Sequence, residues 1–187
     1  MSRIHAIDPA EATGKAKQLL TAVNTKLGFT PNLMRTLANA PAALEGYLNF
    51  SGALGSPANA VLDAKFREML ALAVAQENAC EYCLSAHTAI GGMVGVTPEA
   101  LADSRECRSS DPKQEAGLRF AQQLVERRGM VSDDELAAVR QAGYSEAEIV
   151  EIVAHTALNI FTNYFNHVAQ TDVDFPRVAV HASGARA

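Results

Sequence analysis

Apolar residues return every three or four positions along nearly the whole chain, and the runs are short, each closed by a glycine and reopened by a recognisable helix start. Asp8-Pro9-Ala10-Glu11 and Asp111-Pro-Lys-Gln114 set a capping side chain before a proline at the first helical position. Ser132-Asp-Asp-Glu135 and Ser145-Glu-Ala-Glu148 are capping boxes, and Ser56-Pro57 and Thr97-Pro98-Glu99 are further starts. Stops sit at Gly28, Gly55, Gly95, Gly129 and Gly143. The pattern predicts about eight helices, over 9–27, 31–39, 41–54, 58–78, 81–94, 98–106, 112–128 and 133–170, the last broken near Gly143. No stretch of four or more residues alternates in the manner of a strand, so the reading is all-α. It assigns one helical domain over 1–175 and a tail over 176–187, loose from Phe175-Pro176 onward.

The last helix carries two distinct faces. Ile149, Val153, Ile160, Phe161, Tyr164, Phe165 and Val168 form a broad apolar one. Glu148, Glu151, His155, Asn159, Thr162 and Asn166 form the other, and a solvated stripe is its simplest reading. Its later half is amide and imidazole rather than Lys or Glu, which suits a subunit interface or a wet cavity better. His167, at the edge of the apolar face, is placed to reach a neighbouring element.

Composition narrows the class. A chain of 187 residues, 48% hydrophobic, has enough apolar surface for one substantial core. With 6% aromatic residues and no Trp, helix is favoured over sheet. The net charge of −5 and the lack of a Lys/Arg cluster argue against a nucleic-acid surface. The longest apolar run, Met69 to Ala75, is too short to span a bilayer, and the first residues lack the apolar stretch of a signal peptide. Three cysteines with one close pair suit a reducing compartment, so the expectation is a cytoplasmic protein without a membrane or nucleic-acid partner.

The chemistry concentrates in one segment. Glu68 precedes Cys80-Glu-Tyr-Cys83 by twelve residues, and His87 follows Cys83 by one helical turn. On a helix, Glu68 shares a face with Val61, Leu72, Ala75 and Ala79, where a carboxylate needs a partner or a function. Cys80 falls at the start of the next helix, where unpaired N–H groups favour a thiolate. These residues alone admit three readings. A thiol redox pair would use Cys80 and Cys83, with His87 and Glu68 tuning the proton. A zinc site would take Cys80, Cys83 and His87, with Glu68 as fourth ligand. Two buried, inert cysteines would be structural. Cys107, alone in a polar stretch, reads as incidental, and Tyr82 either hydrogen-bonds a bound oxygen or packs. Glu151 and Asn163 repeat the twelve-residue spacing of Glu68 and Cys80, a faint internal echo.

At Glu68, Cys80, Cys83 and His87 the sequence resembles the AhpD-like alkylhydroperoxidases of the carboxymuconolactone decarboxylase superfamily. Their motif is a glutamate, eleven residues, then Cys-x-x-Cys-x-x-x-His, and all four members are present here. The likeness is close over roughly 58–95, and Gly28-Phe-Thr-Pro-Asn32 and Asn163-Tyr-Phe-Asn-His167 through Asp174-Phe-Pro176 resemble the branch usually labelled peroxidase-related. The resemblance implies an all-α helical bundle with the Cys-x-x-Cys pair at the N-terminus of a central helix. It implies an antioxidant oxidoreductase without bound cofactor or metal, reducing organic hydroperoxides. Cys83 would be the peroxidatic thiol, Cys80 the resolving one, and His87 and Glu68 the proton relay. A dithiol partner, lipoyl-carrying or thioredoxin-like, would regenerate the pair in a homotrimer or homohexamer. The founding peroxidases have a histidine directly before the second cysteine. Tyr82 stands there in this chain, which shortens the relay to Glu68 and His87 and leaves disulfide exchange intact.

Overall fold

The computed structural model describes residues 2–181, which are all-α. The helices are α1 (Gly14–Leu27), α2 (Asn32–Leu37), α3 (Pro41–Leu54), α4 (Ala64–Glu77), α5 (Glu81–Met93), α6 (Pro98–Arg105), α7 (Pro112–Glu126), α8 (Asp133–Gln141) and α9 (Glu146–Ala169). The run expected to break near Gly143 is two helices, each opened by a complete capping box at Ser132/Glu135 and Ser145/Glu148.

Two helices start later than the capping patterns suggest. Asp8 does cap, since its carboxylate accepts from Ala10 N–H, but it closes only a turn. Gly14, at φ +55, sits in left-handed backbone, and α1 begins there. Ser56-Pro57 likewise opens a turn, and the cap of α4 is Asp63, whose side chain accepts from Phe66 N–H.

α4 is the hub. Its stretch Met69–Ala75 is buried on every side, because α5, α6, α7 and α9 all pack against it. Gly117 on α7 lets that helix close on α4: a methyl there would run into Tyr144 and come within 2.7 Å of the Phe66 ring. The carboxylate of Glu151 on α9 accepts from Val61 and Leu62 N–H just before α4, and Asn163 further along α9 pairs with Asn78 just after it. α4 and α9 therefore run parallel. α5 returns antiparallel to both.

The corner between α4 and α5 places the sulfur pair. Ala79 N–H donates to Gln76 O and Cys80 N–H to Ala75 O, the two bonds of a Schellman stop. The left-handed position is Ala79, at φ +54, where glycine is the usual residue. The chain leaves this corner with Cys80 as the N-cap of α5.

Residues 171–181 are docked, unlike the loose end expected from Phe175 onward. They form a strap across α5. Val178 N–H donates to Ser85 Oγ, Arg105 donates to Ala179 O, and Phe175 packs edge-on against both Phe29 and Tyr82. The end of the expected tail, 182–187, lies outside the described residues.

Candidate active site

Glu68, Cys80, Cys83 and His87 come together where α4, α5 and α9 meet. Cys80 and Cys83 are free cysteines, both buried, with their sulfurs 2.8 Å apart. Cys83 N–H donates to Cys80 Sγ at 3.4 Å, so the first sulfur caps the helix that carries the second. Asn166 Nδ2 of α9 donates to Cys83 Sγ at 3.3 Å. One turn along α5, His87 Nδ1 meets Glu68 Oε2 at 2.7 Å, the side chains 23% and 19% exposed. A carboxylate only accepts, so the Nδ1 proton lies in this bond and Nε2 is the nitrogen not engaged with Glu68.

The electrostatics separate the two thiols. Burial pushes the Cys83 thiol up, but the hydrogen bond from Cys80, the charge on His87 and the amides of Asn166 and Asn163 together bring it well below the ordinary thiol value. Cys80 is pushed up, first by its hydrogen bond to Cys83, then by burial and by the charge on Cys83. The start of α5 favours an anion at Cys80, so helix position and side-chain surroundings pull in opposite directions. Side chains decide it, because a cation and two amide donors act on Cys83, and the thiolate belongs there. Burial pulls His87 down. The charge and hydrogen bond of Glu68 reverse this, and His87 ends above its ordinary value.

The polar face of α9 is turned inward, against the simplest reading of it. His155, Asn159, Thr162 and Asn166 are buried, while Val153, Phe161, Tyr164 and Val168 of the opposite face are exposed. This inversion brings two amides to the sulfur pair. Asn163 and Asn166 occupy the positions that the twelve-residue echo aligned with Cys80 and Cys83, and both act on Cys83. His155 lies near Glu68, His87, Arg67 and Glu151, and burial with the charge of Arg67 pushes it down to about 4, so it is neutral.

Sequence reasoning missed Tyr47 of α3. Burial above all, opposed by the Ser51 hydroxyl, pushes its phenol up to about 12, and the charges of Cys83 and Glu68 add to that. A neutral phenol thus stands within reach of the charges on Cys83 and Glu68, with its ring 6.3 Å from that of Phe161. Nothing local in the sequence marks Tyr47, because its place depends on how α3 crosses α9. Tyr82 packs: its hydroxyl accepts from Leu33 N–H, and Phe175 covers the ring. His167 Nε2 reaches the Asn78 carbonyl at 2.8 Å, the neighbouring element anticipated for it. Cys107 is buried, in left-handed backbone at φ +53. Among the described residues no group of three or more His, Cys, Asp or Glu side chains is placed to hold a metal ion. The four candidate zinc ligands instead pair among themselves, sulfur with sulfur and imidazole with carboxylate.

Residues 41–123 match the carboxymuconolactone decarboxylase family. No curated protein matches the chain significantly. Among solved structures, the fold is similar to the alkylhydroperoxidase AhpD core of an uncharacterized peroxidase-related protein from Ralstonia eutropha. That likeness has a TM-score of 0.82 at 24% identity over 92% of each chain. An uncharacterized peroxidase-related protein from Silicibacter sp. is similar over 96% of each chain, at 21% identity and a TM-score of 0.76. The debrominase Bmp8, in complex with 2,3,4-tribromopyrrole, shares the fold at a TM-score of 0.78 and 18% identity, over 93% of this chain and 92% of its own. The segment that holds Glu68, Cys80, Cys83 and His87 is thus similar to the carboxymuconolactone decarboxylase family, and the chain as a whole has the fold of the AhpD-like, peroxidase-related structures.

Proposed function

We propose that the protein is a thiol-dependent oxidoreductase that reduces organic hydroperoxides through a Cys80–Cys83 dithiol/disulfide cycle. The observation that carries this reading is the Cys83 sulfur itself, held 2.8 Å from a second thiol, under an amide donor and one turn from an imidazole paired with a carboxylate. The Cys83 thiolate attacks the distal oxygen of ROOH. The O–O bond breaks, the alkoxide leaves as alcohol with a proton from the His87–Glu68 pair, and Cys83 becomes a sulfenic acid. Cys80 sulfur then displaces water from it and closes the disulfide.

Two external thiols, from a lipoyl-carrying or thioredoxin-like partner, return the pair to the reduced state in a homotrimeric or homohexameric cytoplasmic enzyme. The exposed apolar face of α9, with Phe161, Tyr164 and Val168, suits an interface between copies. A second reading is general dithiol–disulfide exchange without a peroxide. Tyr82 supports it, since the side chain at the usual relay-histidine position is committed to Leu33 N–H.

The test is a thiol count on reduced protein before and after one equivalent of cumene hydroperoxide. Two thiols lost per chain, and none in Cys83→Ser, is the expected result. No loss over minutes would discard the peroxide step in favour of exchange. Bromide release from 2,3,4-tribromopyrrole in place of hydroperoxide consumption would move the reading to reductive dehalogenation.

A further inference from the structure

The two amides of α9 that act on Cys83 are held in different ways. Asn166 Nδ2 donates to Cys83 Sγ at 3.3 Å. Asn163 lies one turn earlier on the same face, fully buried at 0% exposure, and its Oδ1 accepts from Asn78 Nδ2 at 2.9 Å. That bond settles the orientation of the Asn163 amide and turns its nitrogen away from Asn78. Among the described residues this Nδ2 has no hydrogen-bond partner. A buried N–H with no acceptor carries a desolvation penalty that calls for a reason.

The nitrogen is nevertheless near the reacting sulfur, since the Asn163 amide is one of the groups that favour the Cys83 thiolate. It influences that sulfur without bonding it. Sulfur is a weak acceptor and oxygen a strong one, so this donor gains its full bond only when an oxygen arrives on Cys83. The peroxide step delivers such an oxygen.

We propose that Asn163 holds the transferred oxygen: its Nδ2 donates to the distal oxygen of the hydroperoxide as that atom passes to Cys83 Sγ, and to the same oxygen in the sulfenic acid. The inference rests on the proposed function and divides the labour between the two amides, Asn166 holding sulfur and Asn163 oxygen. In the first step the Cys83 thiolate forms the S–O bond, and the O–O bond breaks. Its electron pair leaves on the alkoxide, which takes a proton from the His87–Glu68 pair. The transferred oxygen keeps its hydrogen, so the products are Cys83–SOH and one alcohol. In the second step the Cys80 sulfur bonds Cys83 Sγ, the S–O bond breaks, and hydroxide leaves with the Cys80 proton as water. Negative charge gathers on the departing oxygen, and an N–H already in place stabilises it there. The donor bonds nothing in the reduced site, so its effect falls on the rate and not on the resting thiolate.

The experiment sets two reagents against reduced full-length protein. Cumene hydroperoxide puts oxygen on Cys83, followed as thiol loss, whereas iodoacetamide puts carbon there, followed by peptide mass spectrometry. Both react with the thiolate, so the ratio of their rates at one pH cancels any change in the Cys83 titration. Asn163→Leu, similar in size but without the N–H, should lower the peroxide-to-iodoacetamide ratio about tenfold, the worth of one hydrogen bond. Asn163→Ala should lower it in the same direction and serves if the leucine variant does not fold. Asn166→Leu should slow both reagents together and leave the ratio within about twofold, because its amide acts on the sulfur that both attack. An unchanged ratio in the Asn163 variants, or an equal fall in Asn166→Leu, overturns the proposal. If wild type is oxidised by hydroperoxide and only the ratio stays put, this assignment fails and the peroxide reading stands. If wild-type Cys83 alkylates but hydroperoxide takes no thiols, both fall.

Discussion

Replacing Glu68 by Gln isolates the charge of the Glu68–His87 pair from its geometry. Glutamine keeps an oxygen that accepts from His87 Nδ1–H, so the 2.7 Å contact survives while the negative charge is lost. Two unit charges about 4 Å apart interact by ~4 kcal/mol at an effective dielectric of about 20. The pair is roughly one-fifth exposed, and screening by water and salt brings the useful part to about half of that. Without it burial prevails and His87 becomes neutral. Cys83 loses a neighbouring cation, which disfavours its anion and moves its titration upward. At 1.36 kcal/mol per tenfold, a loss of ~2 kcal/mol takes a thiol that titrates at about 6 from mostly thiolate to mostly thiol at neutral pH, about a three- to fourfold fall in the reactive fraction. The assay is the pH dependence of Cys83 carboxamidomethylation on reduced protein, resolved by peptide mass spectrometry and run beside a thermal melt. Superimposable profiles for wild type and Glu68→Gln, with equal melting temperatures, would refute the relay as drawn.

Other outcomes can be checked on stability alone. His155 is buried and neutral with its titration lowered to about 4, so the unfolded chain binds the extra proton between there and about 6.5. Stability should therefore drop as pH falls through that window, by about 3 kcal/mol in full, and urea melts of His155→Gln should show a flatter dependence than wild type. Ala79→Gly relieves left-handed backbone at the α4–α5 corner and should add about 0.5–1 kcal/mol in chemical denaturation, with Cys83 reactivity unchanged. Gly117→Ala drives a methyl into Tyr144 and Phe66 and should cost about 1–3 kcal/mol, read as a lower urea midpoint. Arg177→Ala removes a surface ion pair with Glu81 and should cost under about 1 kcal/mol, since both partners are substantially exposed.

Helix positions were legible from capping chemistry wherever the cap preceded an uninterrupted run. Thr97, Asp111, Ser132 and Ser145 all accept the backbone bonds their spacing predicts. Asp8 and Ser56 misled because a cap announces a turn, and whether the turn propagates depends on the next few residues, here Gly14 and a delayed Asp63. The four residues of the motif were legible as a set because Cys80, Cys83 and His87 follow one another within two turns, and Glu68 lies on the helix that the tight corner folds back against them. The partners from α9 and α3 were not. Asn163, Asn166, His155 and Tyr47 reach the site through helix packing, and the pattern of α9 taken alone favours the opposite orientation, apolar side inward. The docked strap was equally hidden, since its hold on α5 comes from backbone groups such as Val178 N–H and Ala179 O, which no side-chain pattern reports.

The arrangement around Cys83 has a consequence for energy transfer. An amide donor from Asn166, the His87 charge and the Cys80 hydrogen bond all act on an anionic sulfur, and a disulfide carries no anion for them to hold. Each is therefore a preference for the reduced pair. For a two-electron couple, every tenfold of that preference raises the reduction potential by about 30 mV. A Cys80–Cys83 disulfide in this setting would be a spring under load, formed under oxidative pressure and released to mild thiols, and would suit a transient carrier of electrons better than a clasp that stabilises the fold.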